Sequence, residues 1–505
     1  MKKPADGGVK SPTVYKRIRS ALRPWRRRGL FLMCSLPDFV LTRFLVWLRE
    51  RCDDSHKGSL ERHFFPGLHK VFERIIHWWE RRYRQYFLRF GSVLDSVQHR
   101  ERNPRGVLLM IGTLGPGGAE RQAAITLLGL AQRGLKPLAM TAMHLRSETQ
   151  RFFLPRLEEA GISVAELDRD PAHDGADNLP QIKRALRTLP RRLAEVMNFA
   201  RTLVKQNPQV AHLWLDEVNI QGGLAAVAAR VPRIILHVRS LPPYHFAFYK
   251  TYMLESYRWL AKQPAVTLVA NSIAGARAYE EWLGLPAGHI RVIHNGFDFD
   301  RDLSLAHRSE RTRTDYRSRH GIPSDVPLVG TVIRFDHGKR PGLWADIAER
   351  VARAVPDAHF LMVGDGYLRS RIALRARSGT LKDRLHVVGY EKHTLAAIAA
   401  MDLFLLTSRE EGLPNVLIEA QALDVPVVTT AAGGAVETLA HGRTGWILAD
   451  DRPDAAAAVI VQLLTDKPCL QRAGGEAREF VRVRFGIERM LDETLQVYGP
   501  GFSGF

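Results

Sequence analysis

Seven residues separate Glu411 from Glu419 in the stretch Ser408-Arg409-Glu410-Glu411-Gly412-Leu413-Pro414-Asn415-Val416-Leu417-Ile418-Glu419-Ala420. Pro414 suits a first helical turn, so the segment after it opens a helix. Free backbone N–H groups at such a start attract phosphate. The apolar run 403–407 before it reads as a strand, and open α/β sheets bind ligands beyond the carboxyl ends of their strands. Glu419 lies among Val416, Leu417 and Ala420, where a carboxylate is out of place unless it bonds something specific. A second set, Arg334-Phe335-Asp336-His337-Gly338-Lys339, follows another apolar run, 328–333. Arg334 and Lys339 at a strand's carboxyl end would neutralise a diphosphate leaving group. A strand, an anion-seeking helix start, two carboxylates and two cations suggest a nucleotide-sugar site.

Other groups lie at comparable places. Gly112-Thr113-Leu114-Gly115-Pro116-Gly117-Gly118-Ala119-Glu120-Arg121 follows a strand and opens a helix, so its glycines let the backbone approach a ligand. The spacing of Gly112, Gly115 and Gly118 is not that of a dinucleotide fingerprint. His237-Val238-Arg239-Ser240 ends the 234–238 run and would face the cleft from the other wall. Gly364-Asp365-Gly366 and Gly389-Tyr390-Glu391 end two more runs. Asn271-Ser272 and Asn295-Gly296 read as turn and cap chemistry. Glu437 after Gly433-Gly434 is open between two readings, a helix-start charge and, by the resemblance given below, a member of a loop near the donor. Asp450-Asp451 and Asp298-Phe299-Asp300 fall in loops or linker, so no metal site is expected.

The elements that must position these residues are legible as short apolar runs alternating with helical ones. Runs at 107–111, 138–142, 162–167, 210–215, 234–238, 266–270 and 290–294 read as strands, with helices such as 119–133 and 272–283 between them. A second series follows at 328–333, 360–363, 385–388, 403–407 and 425–429. This is the β-α-β pattern of a parallel sheet with helices on both faces, occurring twice. The expected organisation is a basic, mostly helical extension (1–106), a first Rossmann-like domain on the acceptor side (107–300), a polar linker (301–325), a second Rossmann-like domain for the nucleotide sugar (326–482), and a C-terminal helix and tail (483–505).

The 505 residues are 45% hydrophobic and 25% charged, ordinary for a globular protein of two or three domains. The charge is uneven: residues 1–106 hold 24 Lys and Arg against 10 Asp and Glu, a net of +14 of the chain's +20. An anionic partner is expected there. Leu68, Phe72, Ile75, Trp79, Tyr83, Phe87, Phe90 and Leu94 recur at helical spacing, with Arg74, Arg81, Arg82, Arg84 and Arg89 between them. That pattern suits an anionic membrane interface, and equally a helix packed on the protein with a solvated basic face. The run 30–48 is interrupted by Pro37, Asp38 and Arg43, against a membrane span or clean signal peptide. Cys34, Cys52 and Cys469 are far apart, which argues against a disulfide framework and fits a reducing cytosol.

The 408–445 stretch continues with Val425-Pro426-Val427-Val428-Thr429-Thr430, Gly433-Gly434-Ala435-Val436-Glu437 and Gly442-Arg443-Thr444-Gly445. It closely resembles the donor-site signature of retaining glycosyltransferases of family 4, which have the GT-B fold: two doubly wound Rossmann-like domains facing a cleft. The resemblance runs from about Val107 to the C-terminus. It implies an α/β enzyme that moves a sugar from a nucleoside-diphosphate sugar to a hydroxyl acceptor, such as a lipid-linked or growing cell-surface glycan. By the same resemblance Glu419 is the ribose-binding carboxylate, and Glu411 and His237 lie close to the transferred sugar. Arg334 and Lys339 form the phosphate clamp, and Gly118 borders the donor diphosphate. Asn415, Val416 and Leu417 offer N–H groups to that diphosphate, and Gly389 and Tyr390 line the base. Glu120 and Arg239 are placed on the acceptor side, Arg239 toward a phosphate or carboxylate. No cofactor or metal is implied, and the leaving phosphate would take the acceptor's proton. A cytoplasmic enzyme, peripheral at the inner membrane face through residues 1–106, fits this reading. A GT-B-like sugar-nucleotide epimerase is the alternative, and a basic nucleic-acid-binding protein a more distant one, for which no motif speaks; no nucleic acid is expected as partner.

Overall fold

The computed structural model describes residues 61–95, 97, 106–175, 179–193, 195–246, 248–299 and 309–505. The 30–48 run, Cys34, Cys52, most of the basic extension and residues 301–308 of the expected linker lie outside them. Two compact units are distinguished. The larger spans Val93–Arg187, Arg191–Pro242 and Leu260–Phe505.

In that unit β1 (Val107–Ile111), β2 (Leu138–Ala142), β3 (Ser163–Glu166), β4 (Val210–Trp214), β5 (Arg233–Val238), β6 (Val266–Ala270) and β7 (Arg291–Val292) form one sheet, in the order β3-β2-β1-β4-β5-β6-β7. A second sheet holds β8 (Leu328–Val332), β9 (His359–Val363), β10 (Leu385–Val388), β11 (Leu403–Leu406), β12 (Val427–Thr430) and β13 (Gly445–Leu448), in the order β10-β9-β8-β11-β12-β13. All pairings are parallel. The continuous apolar sequences of β1 and β11 are buried at every position, as strands covered on both faces must be. The strand order reverses between β1 and β4 and again between β8 and β11, which opens a crevice at each switch point.

Each sheet has its own core. That of the second is built around Trp344, Phe360, Leu403, Phe404 and Val427. The core of the first takes in Met490, Leu491, Leu495 and Tyr498 from the helix Ile487–Tyr498. The chain's end thus returns to the first sheet and covers one of its faces. The return is pinned where Phe297 N–H donates to the Phe485 carbonyl (2.7 Å) and Ile487 N–H to the Phe297 carbonyl (3.1 Å).

Two differences from the sequence reading have clear causes. The expected linker contains a helix, Ser309–Arg319, whose Arg317 is 1% exposed. Arg317 donates to the carbonyls of Ala400, Ser324 and Val326 and pairs with Asp402, so a polar-looking segment is fastened to the second sheet by a buried, fully engaged guanidinium. Strand β13 escaped notice because its four residues sit directly after Gly442-Arg443-Thr444 and read as loop.

The smaller unit is described here for the helix Glu61–Leu94 as far as Ser92, together with Thr188–Pro190 and Pro243–Trp259. Tyr83 meets Tyr252 edge-on, and Phe87 and Phe90 lie 6.0 and 5.0 Å from the Trp259 ring. Arg84 pairs with Glu255 at 3.3 Å. From Trp79 onward the apolar stripe is therefore buried in protein, and Arg81, Arg82, Arg84 and Arg89 form the outer face. No described helix is long and apolar enough to cross a membrane.

Candidate active site

The helix Asn415–Ala422 starts just beyond β11, with Pro414 as its extended N-cap residue (φ −73°, ψ 110°) rather than its first helical one. Ahead of it the loop carries Glu411, whose carboxylate pairs with the Lys339 ammonium. Lys339 is held in turn by its own N–H donating to Asp336 Oδ1 at 3.0 Å. The other Asp336 oxygen takes Arg334, whose side chain is 76% exposed. Both expected clamp residues therefore stand beyond β8, each with an acid partner. Gly364 follows β9 at φ +129°, and a Cβ there would lie 1.9 Å from the Ile333 carbonyl oxygen, so glycine is required for the chain to pass. Gly389 lies against the Arg369 guanidinium and Tyr390 is exposed. Glu391 faces Tyr316 and His320 of the Ser309–Arg319 helix.

Glu419 is 1% exposed, and its carboxylate pairs with Arg121 from the first helix of the opposite domain. A buried carboxylate needs such a partner. Nothing in the glycine loop's sequence marks Arg121 as this partner beyond its place in the first turn of the helix Gly118–Gln132. Two residues from Glu120 along that turn, the Gly118 carbonyl accepts from Asn415 Nδ2 at 3.4 Å. The Glu120 carboxylate folds back over Gly117, and burial pushes its pKa up, against the pull of Arg239.

The opposite wall is assembled by alternation. His212 and Trp214 on β4, and His237 with Arg239 on and after β5, are two apart and share a face, with Trp214 in register with His237. The helix ending at Tyr498 covers that face. His237 is 3% exposed, so it is enclosed rather than open to the cleft. Its Nδ1 lies 3.1 Å from His212 Nε2 and its Nε2 lies 3.1 Å from Arg239 Nη1. Burial, then Arg239, then His212 hold its pKa well below the usual histidine range. Arg239 stacks 4.5 Å over Trp214 and donates to Asn295 Oδ1 at 2.6 Å. Burial pulls its pKa down to about 9, so it stays charged at neutral pH.

Asn295 does more than turn chemistry. It also donates to the Leu413 carbonyl (3.0 Å) and to Asn415 Oδ1 (2.6 Å), joining Arg239 to the start of the donor-side helix. Gly412 lies so close to the first domain that a Cβ would stand 2.2 Å from the Arg239 carbonyl oxygen. Ser272 caps the helix Ile273–Leu283 as expected, accepting from Gly275 N–H. Glu437 is a helix-start charge for that same helix, across the cleft: it accepts from Ile273 and Ala274 N–H (both 2.8 Å) and pairs with His294 at 3.0 Å.

The structure thus places the expected residues in three groups along the crevice: Lys339 and Glu411 with Asp336, Arg334 being the exposed member; Glu419 with Arg121; and Gly118, Asn415, Asn295, Arg239 and His237 in one hydrogen-bonded chain. Tyr390 and Gly389 lie on the separate β10 loop. His212, Tyr498, Arg121 and Asn295 belong to these groups although sequence reasoning gave them no part in the site.

Comparison with known proteins agrees with this arrangement. The model for glycosyltransferase family 4 matches residues 116–301, and that for glycosyl transferases group 1 matches 312–480. The chain is 31% identical over 425 residues to the Vi polysaccharide biosynthesis protein VipC/TviE of Salmonella typhi, covering 78% of this chain and 72% of that one. It is 23% identical over 368 residues to the UDP-Gal:alpha-D-GlcNAc-diphosphoundecaprenol alpha-1,3-galactosyltransferase of Escherichia coli, covering 70% and 92%. Among solved structures, HepE of Anabaena in complex with UDP-glucose superposes with a TM-score of 0.61 at 21% identity, over 77% of this chain and 98% of that one, a likeness of fold.

Proposed function

The chain belongs to glycosyltransferase family 4 and is a glycosyltransferase of GT-B fold, and we propose that it transfers a sugar, with retention, from a nucleoside-diphosphate sugar to a hydroxyl of a lipid-linked or growing cell-surface glycan. The observation that carries this reading is the grouping of Lys339 and Arg334 with Glu411, at the start of the Asn415 helix and above buried Glu419. A diphosphate entering there competes for Lys339 and Arg334, and the N–H groups of Asn415 and Val416 receive it, that of Leu417 being turned to the Pro414 carbonyl at 3.2 Å. Glu419 accepts from the ribose hydroxyls once Arg121 yields to them. Glu411 and His237 flank the sugar as positive charge develops at its anomeric carbon. The departing phosphate, on the same face, takes the acceptor's proton. Arg334 and Lys339 supply the positive charge that a metal ion gives elsewhere, so transfer proceeds without one. Glu120 and Arg239 lie on the acceptor side. Supporting context comes from relatives named for polysaccharide biosynthesis and for a diphosphoundecaprenol-linked acceptor. No observation favours an epimerase.

The test is a panel of UDP-, GDP- and ADP-sugars, assayed for binding and hydrolysis with and without excess EDTA. Binding of none of them, or activity abolished by EDTA and restored by Mg²⁺, overturns the reading. The +14 charge of residues 1–106 is proposed to hold the enzyme at an anionic membrane surface, each basic residue contributing about 1 kcal/mol at low salt. Sedimentation with anionic liposomes should weaken as salt is raised. Full-length protein that ignores such liposomes at low salt removes this part.

A further inference from the structure

The crevice at the second sheet opens where two strands part. Leu403 pairs with Val329 and Phe404 with Gly330, and the register runs no further. Beyond that point β8 leads to the loop of Lys339 and β11 to the loop of Glu411. Carbonyls that leave a ladder inside a protein need new donors. Trp344 Nε1 donates to the Leu405 carbonyl (3.1 Å). The Arg340 guanidinium serves two more just past the strand: Nε donates to the Thr407 carbonyl (2.6 Å) and Nη2 to that of Ser408 (3.0 Å). The exchange is reciprocal, because the Thr407 hydroxyl donates to the carbonyls of Lys339 (3.1 Å) and Arg340 (3.3 Å). Arg409 N–H adds a third tie, to the Gly338 carbonyl (2.8 Å).

Arg340 stands at φ +52°, ψ +53°, in the left-handed turn that leads into the helix Pro341–Ala354. An L side chain is strained there and glycine would not be. The side chain is 14% exposed and all three of its nitrogens are engaged, since Nη1 and Nη2 also pair with the two oxygens of Asp451. A carboxylate that grips a guanidinium through both oxygens fixes its plane. Asp451, one of the loop acids at 450–451, thereby aims the fork at the Thr407 and Ser408 carbonyls. With every nitrogen committed, Arg340 is not a further clamp cation.

We infer that Arg340 and Thr407 are positioning residues for the diphosphate clamp: their crossed hydrogen bonds hold the Lys339 loop and the Glu411 loop at one spacing. This rests on the reading that Lys339 takes the donor diphosphate. The Lys339 ammonium has to exchange the Glu411 carboxylate for a phosphate and back again at the same point. Its side chain can turn, so the constancy of that point comes from the backbone on both sides, and the crossed bonds supply it.

The experiment uses two full-length variants, titrated by calorimetry with UDP, GDP and ADP. Arg340→Gly removes the side chain and the backbone strain together; Thr407→Val keeps the shape and loses the hydroxyl. For the diphosphate that the wild type binds, each variant should bind about tenfold more weakly and the double variant about a hundredfold, the scale of a slightly misplaced contact. In a Lys339→Ala background the same substitutions should change affinity little, because they act through the position of Lys339. Hydrogen exchange at the Arg409 amide should quicken in both variants. Wild-type affinity in the double variant overturns the inference, and so does unchanged exchange at Arg409. The same loss repeated in full in the Lys339→Ala background overturns it too, making the pair a general support of the fold. Thr407→Val carries the test alone if Arg340→Gly does not fold. If no diphosphate binds, or Lys339→Ala binds it as the wild type does, the clamp reading fails, while exchange at Arg409 still decides whether Arg340 and Thr407 hold the loops together.

Discussion

On the donor wall Lys339 is paired with Glu411 and Arg334 with Asp336: the carboxylate side chains are only 10% and 12% exposed, but the cations are 26% and 76% exposed and open to exchange. On the opposite wall His237 and Arg239 are held by His212, Asn295 and the face of Trp214, all buried. The first arrangement exchanges partners at small cost, because water and a diphosphate can each replace a carboxylate. The second cannot exchange without leaving a buried donor or acceptor unpaired. The donor wall is thus built to release and recapture a charged leaving group. The opposite wall is built to stay in place while it does so.

The sharpest way to break this comparison is to remove a cation. Lys339→Ala should lower kcat/KM by about two to three orders of magnitude, as losing a preorganised charge contact does in comparable sites, and should weaken binding of the nucleoside diphosphate measured by calorimetry. Arg334→Ala should do the same to a lesser degree, since its side chain is the more exposed. A folded double variant that binds the diphosphate normally would remove the clamp.

A change on the other wall should look different. His237→Ala should lower kcat by about a hundredfold, within the range of a group acting on the reacting centre, with the diphosphate's Kd unchanged. If His237→Ala and Lys339→Ala both act mainly on Kd, the two walls do not divide the work as described.

The strands and the glycine-rich loops were legible because two-sided burial demands continuous apolar runs and because ligand loops follow strand ends. Lys339 and Glu411 were legible for the same reason, standing a few residues beyond such runs, and Glu419 because it is a carboxylate among apolar residues of the helix that follows. What the sequence hid is what depends on distant segments meeting. His212 and Tyr498 are 286 residues apart, and nothing local marks either as a partner of the other. Asn295 looks like a turn residue until Leu413 and Asn415 lie opposite it. Arg317 looks like one charge in a polar stretch until the second sheet closes over it. Of the two readings of Glu437 the sequence does not choose, because the helix whose start it charges begins at Ile273, on the other side of the cleft.

That last contact offers the smallest effect and tests how the walls are joined. Burial alone would raise the Glu437 pKa, but hydrogen bonds from His294 and from the Ala274 and Ile273 N–H groups outweigh it, and the net shift is downward. A carboxylate whose folded pKa is lowered stabilises the folded state above its ordinary pKa. The stabilisation is lost as pH falls through the lower folded value. Glu437→Gln should therefore cost about 1 kcal/mol at neutral pH, the worth of a charge at a helix N-terminus, and lower the melting temperature by a degree or two. The gap between variant and wild type should close as pH drops below the usual carboxylate range. Because Glu437 joins the domains without touching the clamp, diphosphate binding should change far less than in Lys339→Ala. A gap that persists unchanged at low pH would mean that Glu437 acts through packing rather than through its charge.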